Sequence, residues 1–177
     1  MYETPMTVAP AKPAPLSLPN ILTYGRIAAV PALVACLYFL KGDVAHWSAF
    51  GLFVLAGITD WLDGYLARAL EQQSTLGAML DPIADKLLVG AALMMLVHDG
   101  TISNVSIWAA VIILCREILV SGLREFLAEL NVKVRVSVLA KWKTTVQMVA
   151  LAVLLAGPAA EKYLPGLEFT GITLLWL

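Results

Sequence analysis

Five apolar segments, each long enough to cross a lipid bilayer, dominate the sequence. They occupy residues 21–40, 46–66, 76–97, 107–126 and 138–156. An α-helix needs about 20 apolar residues to cross a hydrocarbon core of ~30 Å. The chain has 177 residues, 60% of them hydrophobic, which is more apolar surface than one aqueous core of this size can enclose. The sequence therefore predicts an all-α, polytopic transmembrane helix bundle.

The two ends of the chain differ from these five segments. A sixth apolar segment begins near Leu167, but the sequence ends at Leu177, so this segment is too short to cross a bilayer. We expect a bundle of six spans with the sixth truncated, and a re-entrant segment is the alternative. Residues 1–18 contain repeated proline and alanine and predict a flexible tail. Residues 19–177 are expected to form one transmembrane domain.

The basic residues predict how the bundle is oriented. With a cytoplasmic N-terminus, only Lys41 and Lys162 lie outside. The basic residues at or towards the cytoplasmic side are then Lys12, Arg26, Arg68, Lys86, Arg116, Arg124, Lys133, Arg135, Lys141 and Lys143. Because Lys and Arg accumulate in cytoplasmic loops, we expect the N-terminus to be cytoplasmic. The net charge of −1 leaves no basic excess for a nucleic-acid partner.

Four aspartates lie in the second and third apolar segments, where an ionised side chain costs roughly 2.5–3.5 kcal/mol to insert. Asp60 and Asp63 are three residues apart, so they project from one face of a helix. The same holds for Asp81 and Asp85, which are four residues apart. At 1.5 Å per residue, Asp60 and Asp85 each lie about 9–11 Å inside the hydrocarbon, and Asp63 and Asp81 each lie about 4–5 Å inside. Two antiparallel helices should therefore bring the four carboxylates together near the cytoplasmic surface.

Four carboxylates at one site need counter-charges, since two unit charges 4 Å apart repel by roughly 4 kcal/mol at an effective dielectric constant of 20. Oxygen ligands without a nearby His or Cys favour Mg²⁺ or Mn²⁺ over zinc, and four carboxylates suffice for two ions. An intramembrane ion transporter is the alternative. It would need polar residues continuing to the outer face, and residues 47–58 and 87–97 contain almost none.

The spacing of the aspartates resembles a known signature. From Asp60 to Asp85 the chain follows the pattern D-x2-D-G-x2-A-R-x8-G-x3-D-x3-D. This pattern resembles the signature of the CDP-alcohol phosphatidyltransferases at every specified position. Further segments resemble the branch of that family that uses glycerol 3-phosphate, and they lie at residues 20–26, 80–86, 116–125 and 141–147. The resemblance covers roughly residues 19–156.

The resemblance implies a reaction and a set of site residues. CDP-diacylglycerol and sn-glycerol 3-phosphate would give phosphatidylglycerol phosphate and CMP, in phospholipid biosynthesis. The implied ligands of Mg²⁺ or Mn²⁺ are Asp60, Asp63, Asp81 and Asp85, and Asp85 is also the implied general base. The implied contacts of the CDP moiety are Pro19, Asn20, Ile21, Leu22, Gly64, Ala67, Arg68, Ser74 and Gly77. A homodimer in the bacterial inner membrane, with its active site on the cytoplasmic side, is also implied.

A cluster of cations in the second half of the chain predicts how the acceptor is bound. Arg116 lies about 12 Å from Arg124 along a helix, too deep in the membrane to reach the headgroups, and it needs an anionic partner or a wet cavity. Guanidinium and ammonium groups recognise phosphate well. The predicted acceptor-phosphate residues are Thr23, Arg26, Arg116, Arg124, Lys141 and Lys143. Lys86 is expected to neutralise a neighbouring carboxylate.

The identity of the acceptor leaves alternatives within the family. A cardiolipin synthase of the same fold, with phosphatidylglycerol as acceptor, is the first alternative. A synthase of serine or inositol lipids fits less well, because the segments outside the aspartate motif resemble the glycerol-3-phosphate branch.

Overall fold

A computed structural model describes residues 18–69, 75–130 and 138–176. Side chains are described from 21 to 62, from 79 to 130 except Glu129, and from 142 to 176. Within these ranges the chain is helical and contains no strand. The helices are α1 (Leu18–Phe39), α2 (Asp43–Ala69), α3 (Thr75–His98), α4 (Ser106–Glu129), α5 (Val138–Ala160) and α6 (Leu167–Leu175). The predicted tail, residues 1–18, lies outside the described residues except for its last residue.

Three helical segments in the described part of the chain are long and apolar enough to cross a membrane. They are Ile21–Phe39, Ser106–Ala128 and Trp142–Ala160. Helices α2 and α3 contain 27 and 24 residues and carry the aspartates. Helix α6 has nine residues, which at 1.5 Å per residue is shorter than a bilayer span. The prediction of an all-helical membrane protein is confirmed for the described residues, and the six spans and the cytoplasmic N-terminus stay predictions.

Helices α1, α2, α3 and α5 form the packed centre of the bundle. Helix α1 packs against α2 and α3, and both of these also pack against α5. The shared core consists of buried aliphatic and aromatic side chains, among them Leu33, Phe53, Leu88, Leu96, Leu151 and Leu154. Helix α4 packs mainly against α3. Because α1 contacts both α2 and α3, its buried polar residues face the two helices that carry the aspartates.

Helix α6 packs closely on α5 through Gly171. A Cβ atom at this position would lie 2.8 Å from Leu154 Cγ and 3.1 Å from Val153 Cγ1. Leu154 is fully buried, so it has little room to move away. We expect Gly171→Ala to destabilise the bundle by about 1–3 kcal/mol, the usual cost of overpacking a core.

The melting temperature of the detergent-solubilised protein measures this effect, with Gly51→Ala as the matched control. A Cβ at Gly51 meets nothing within 4 Å, and alanine favours a helix over glycine. The two substitutions should therefore shift the melting temperature in opposite directions. Equal shifts would contradict the packing of α6 on α5.

Candidate active site

The side chain of Arg26, on α1, joins aspartates from two other helices. Its Nη1 lies 2.8 Å from Asp60 Oδ1 on α2 and 3.0 Å from Asp85 Oδ1 on α3. Asp81 Oδ1 lies 4.0 Å from the same nitrogen and accepts a 2.6 Å hydrogen bond from Thr23 Oγ1. Thr23 and Arg26 are three residues apart, so one face of α1 meets all three carboxylates. We call Asp60, Asp81 and Asp85 the carboxylate cluster.

The aspartates of the carboxylate cluster are partly exposed, whereas the arginine that joins them is buried. The side chain of Arg26 is 0% exposed, whereas those of Asp60, Asp81 and Asp85 are 45%, 40% and 48% exposed. The guanidinium therefore forms the buried floor of an acidic site that a polar ligand can reach. Its positive charge offsets the repulsion between carboxylates that share one small site.

The donor atoms of the carboxylate cluster suit a hard divalent ion, because all of them are carboxylate oxygens. In the described part of the chain, no three His, Cys, Asp or Glu side chains are arranged closely enough to ligate one ion together. The guanidinium of Arg26 stands between the carboxylates and supplies the positive charge that such an ion would bring. The side chain of Asp63, the fourth predicted ligand, lies outside the described residues.

A second polar site adjoins the same stretch of α3. A cavity of about 410 Å³ opens between α3, α4 and α5, and its charged and hydroxyl side chains are Lys86, Arg116, Glu117, Ser121, Arg124, Glu125 and Thr144. This volume falls in the ~300–1,000 Å³ range of small-molecule sites. We call it the basic cavity, because it contains three cations and two carboxylates.

Hydrogen bonds hold the charged groups of the basic cavity in place. Arg116 Nη2 pairs with Glu117 Oε1 and donates a 3.2 Å hydrogen bond to Gln147 Oε1 on α5. Lys86 Nζ donates to Ser121 Oγ and lies 3.9 Å from Glu125 Oε1. The Nε of Arg116 is buried and has no hydrogen-bond partner among the described residues. The cavity thus offers donors to a small anion.

The predicted site residues do not all lie at one place in the structure. Thr23 and Arg26, predicted for the acceptor pocket, lie with the carboxylate cluster. Arg116 and Arg124 line the basic cavity, while Lys143 is exposed. Ile21 and Leu22 lie on α1 just before Thr23. The predicted residues whose side chains lie outside the described part are Pro19, Asn20, Asp63, Gly64, Ala67, Arg68, Ser74, Gly77 and Lys141.

Sequence reasoning did not assign Ser121, Glu125 and Gln147 to the site. The first two line the basic cavity, and Gln147 accepts a hydrogen bond from Arg116. Lys86 is expected to neutralise a neighbouring carboxylate, and its ion-pair partner in the structure is Glu125 on α4. Ser121 and Glu125 are four residues apart, a spacing that places both on one face of α4. Gln147 is buried in an apolar stretch of α5, and a buried amide needs a hydrogen-bond partner. The four-residue spacing of Ser121 and Glu125, and an amide in an apolar stretch at Gln147, were the sequence signals that could have found these three residues.

Comparisons with known proteins agree with the resemblance that the aspartate motif carries. The sequence model of the CDP-alcohol phosphatidyltransferase family matches residues 16–176. A CDP-diacylglycerol–glycerol-3-phosphate 3-phosphatidyltransferase of Cereibacter sphaeroides is 46% identical over 157 residues, which cover 89% of this chain and 71% of the relative. A protein of the same name from Rickettsia bellii is 45% identical over 161 residues, with 91% and 86% covered. A cardiolipin synthase (CMP-forming) of Oryza sativa subsp. japonica is 42% identical over 191 residues, with 96% and 55% covered.

Proposed function

The chain belongs to the CDP-alcohol phosphatidyltransferase family and is a membrane-bound transferase, and from this premise we propose that its acceptor is sn-glycerol 3-phosphate. The reaction transfers the phosphatidyl group of CDP-diacylglycerol to this acceptor and gives phosphatidylglycerol phosphate and CMP. The observation that carries the proposal is the position of two adjacent residues on α3. Asp85 belongs to the carboxylate cluster and Lys86 to the basic cavity, so an anionic acceptor in the cavity lies beside the carboxylates.

The reaction is a displacement at phosphorus. Asp85 takes the proton from the acceptor hydroxyl, whose oxygen forms a bond to the phosphorus of the phosphatidyl group, and the bond from that phosphorus to the CMP oxygen breaks. CMP leaves with the electron pair. Two divalent ions, Mg²⁺ or Mn²⁺, held by the carboxylate cluster and Asp63 would supply charge neutralisation of the diphosphate.

The basic cavity binds the phosphate of the acceptor in this proposal. Arg116 presents a planar fork that matches phosphate geometry, and Arg124 lines the same cavity. In this proposal the CDP moiety is held by the start of α1 and by the motif residues of α2, which are Gly64, Ala67 and Arg68. In this proposal the active site faces the cytoplasm of a bacterial inner membrane, because Lys and Arg accumulate on the cytoplasmic side of membrane proteins. Family resemblance supports a homodimer.

A cardiolipin synthase with phosphatidylglycerol as acceptor is the second candidate, since the relative from Oryza sativa bears that name. Purified protein, labelled CDP-diacylglycerol and one acceptor at a time distinguish the candidates. We expect labelled phosphatidylglycerol phosphate with glycerol 3-phosphate, and no lipid product with phosphatidylglycerol, serine or inositol. Product formed only from phosphatidylglycerol would overturn the proposal.

Arg116→Ala should raise the KM for glycerol 3-phosphate about 10–100-fold, because a hydrogen bond to a charged group contributes about 1.5–3 kcal/mol. The KM for CDP-diacylglycerol should stay within about two-fold. Steady-state kinetics with each substrate varied in turn measure both values. Arg116→Lys is the matched variant, since it keeps the charge but loses the planar fork. Its KM for glycerol 3-phosphate should lie between those of wild type and Arg116→Ala. An unchanged acceptor KM in Arg116→Ala would refute the phosphate role.

A further inference from the structure

Lys86 is an unusual residue for its surroundings. It lies inside the long apolar helix α3, where a charged side chain needs an anionic partner or a wet cavity. Its side chain is 27% exposed, and its ammonium points into the basic cavity, where it donates to Ser121 Oγ. The carboxylate cluster does not hold it, because the cation among those three aspartates is Arg26. Lys86 is therefore available to a ligand of the basic cavity.

The partner that Lys86 has in the structure is weakly held. Glu125 Oε1 lies 3.9 Å from Lys86 Nζ, and the side chain of Glu125 is 73% exposed. An ion pair with so exposed a member contributes little to stability. Glu125 can turn towards water when a stronger anion arrives, while Lys86 stays on a packed helix. A phosphate dianion is such an anion, because it carries more charge and more acceptor oxygens than a carboxylate.

The position of Lys86 adds a geometric argument. It follows Asp85 directly, so the two side chains leave α3 with a rise of about 1.5 Å and a rotation of about 100° between them. One side chain faces the carboxylate cluster and the other faces the basic cavity. A phosphate held by Lys86 therefore fixes the rest of a small acceptor next to the group that takes its proton, and orientation of this kind contributes strongly to catalysis.

We propose that Lys86 binds the phosphate of the acceptor and selects for an anionic acceptor, with Ser121 and Glu125 holding its ammonium ready in the free enzyme. This inference rests on the proposed function. Arg116 and Arg124 bind the same phosphate from α4, so the acceptor bridges α3 and α4. Binding exchanges the contact between Lys86 and Glu125 for one between Lys86 and phosphate.

Two variants that break the same ion pair test the proposal. Lys86→Met should raise the KM for glycerol 3-phosphate about ten-fold or more, while the KM for CDP-diacylglycerol changes by less than about two-fold. Glu125→Gln should lower the acceptor KM, because it removes the carboxylate that competes with the phosphate for Lys86. If Lys86 served only to join α3 to α4, both variants would shift the melting temperature and the kinetics alike, and that result would overturn the proposal.

Further measurements keep the test decisive. Lys162→Met is the matched control, since Lys162 pairs with Asp43 at 2.6 Å in another part of the chain, and it should leave the acceptor KM unchanged. Lys86→Arg should restore most of the acceptor affinity, and Lys86→Gln replaces Lys86→Met as the informative variant if the latter does not fold. With glycerol, which has no phosphate, wild type and Lys86→Met should have equal kcat/KM. A ten-fold loss with glycerol as well would contradict phosphate recognition.

Different results would overturn the proposed function and the role of Lys86. If the wild type makes no lipid from glycerol 3-phosphate, the proposed function is wrong. If the wild type uses glycerol 3-phosphate and Lys86→Met keeps its KM, only the role of Lys86 is wrong.

Discussion

Asp85→Asn is expected to lower kcat by about 10²–10⁴-fold, the usual contribution of a general base, while CDP-diacylglycerol still binds. The amide has the size of the carboxylate but cannot take the proton of the acceptor hydroxyl. Asp85 Oδ1 accepts a 3.0 Å hydrogen bond from Arg26, and the amide oxygen can keep that bond. The rate of labelled lipid formation at saturating acceptor measures kcat, and the rise in melting temperature with added donor measures binding.

Asp43→Asn is the matched control for Asp85→Asn. It removes one carboxylate at the start of α2, where Asp43 is exposed and pairs with Lys162 outside the carboxylate cluster. Its kcat should stay within about two-fold of wild type, because a partly exposed ion pair contributes little. If Asp85→Asn retained most of the wild-type turnover, Asp85 could not be the base.

Part of the carboxylate cluster could be predicted from local sequence, because the spacing of Asp81 and Asp85 puts both on one face of a helix. In the described residues, α2 and α3 meet mainly through α1, which packs against both. In the structure, Asp60, Asp81 and Asp85 meet the same nitrogen of Arg26. The depth of these aspartates in a membrane stays a prediction.

The place of Arg26 could not be predicted in the same way. A guanidinium binds a carboxylate and a phosphate with similar geometry, so its chemistry alone does not say which one it meets. The answer depends on α1 packing against both α2 and α3, which no local pattern encodes. For the same reason the sequence does not say that the carboxylate partner of Lys86 lies on α4, because helix-to-helix neighbours are a property of the whole bundle.

Replacement of Arg26 by methionine should produce the largest change in stability, and the change should depend on divalent ions. Arg26→Met leaves three carboxylates close together without their buried cation. Loss of one partner of a buried ion pair costs about 3–5 kcal/mol, and the partial exposure of the aspartates places the expected loss near the lower end. The melting temperature in detergent with excess chelator measures it. Lys41→Met, which removes an exposed cation elsewhere, should have little effect.

Addition of Mg²⁺ or Mn²⁺ then separates a structural role of Arg26 from a role as counter-charge. If the guanidinium and the ions neutralise the same carboxylates, ions bind the Arg26→Met protein more tightly and raise its melting temperature more than they raise that of wild type. This follows from linkage, because a ligand of the folded state stabilises it in proportion to the logarithm of its concentration over its Kd. An equal or smaller rise in Arg26→Met would mean that the ions bind elsewhere. In that case the carboxylate cluster would be neutralised by Arg26 alone, and full activity in excess chelator should accompany the result.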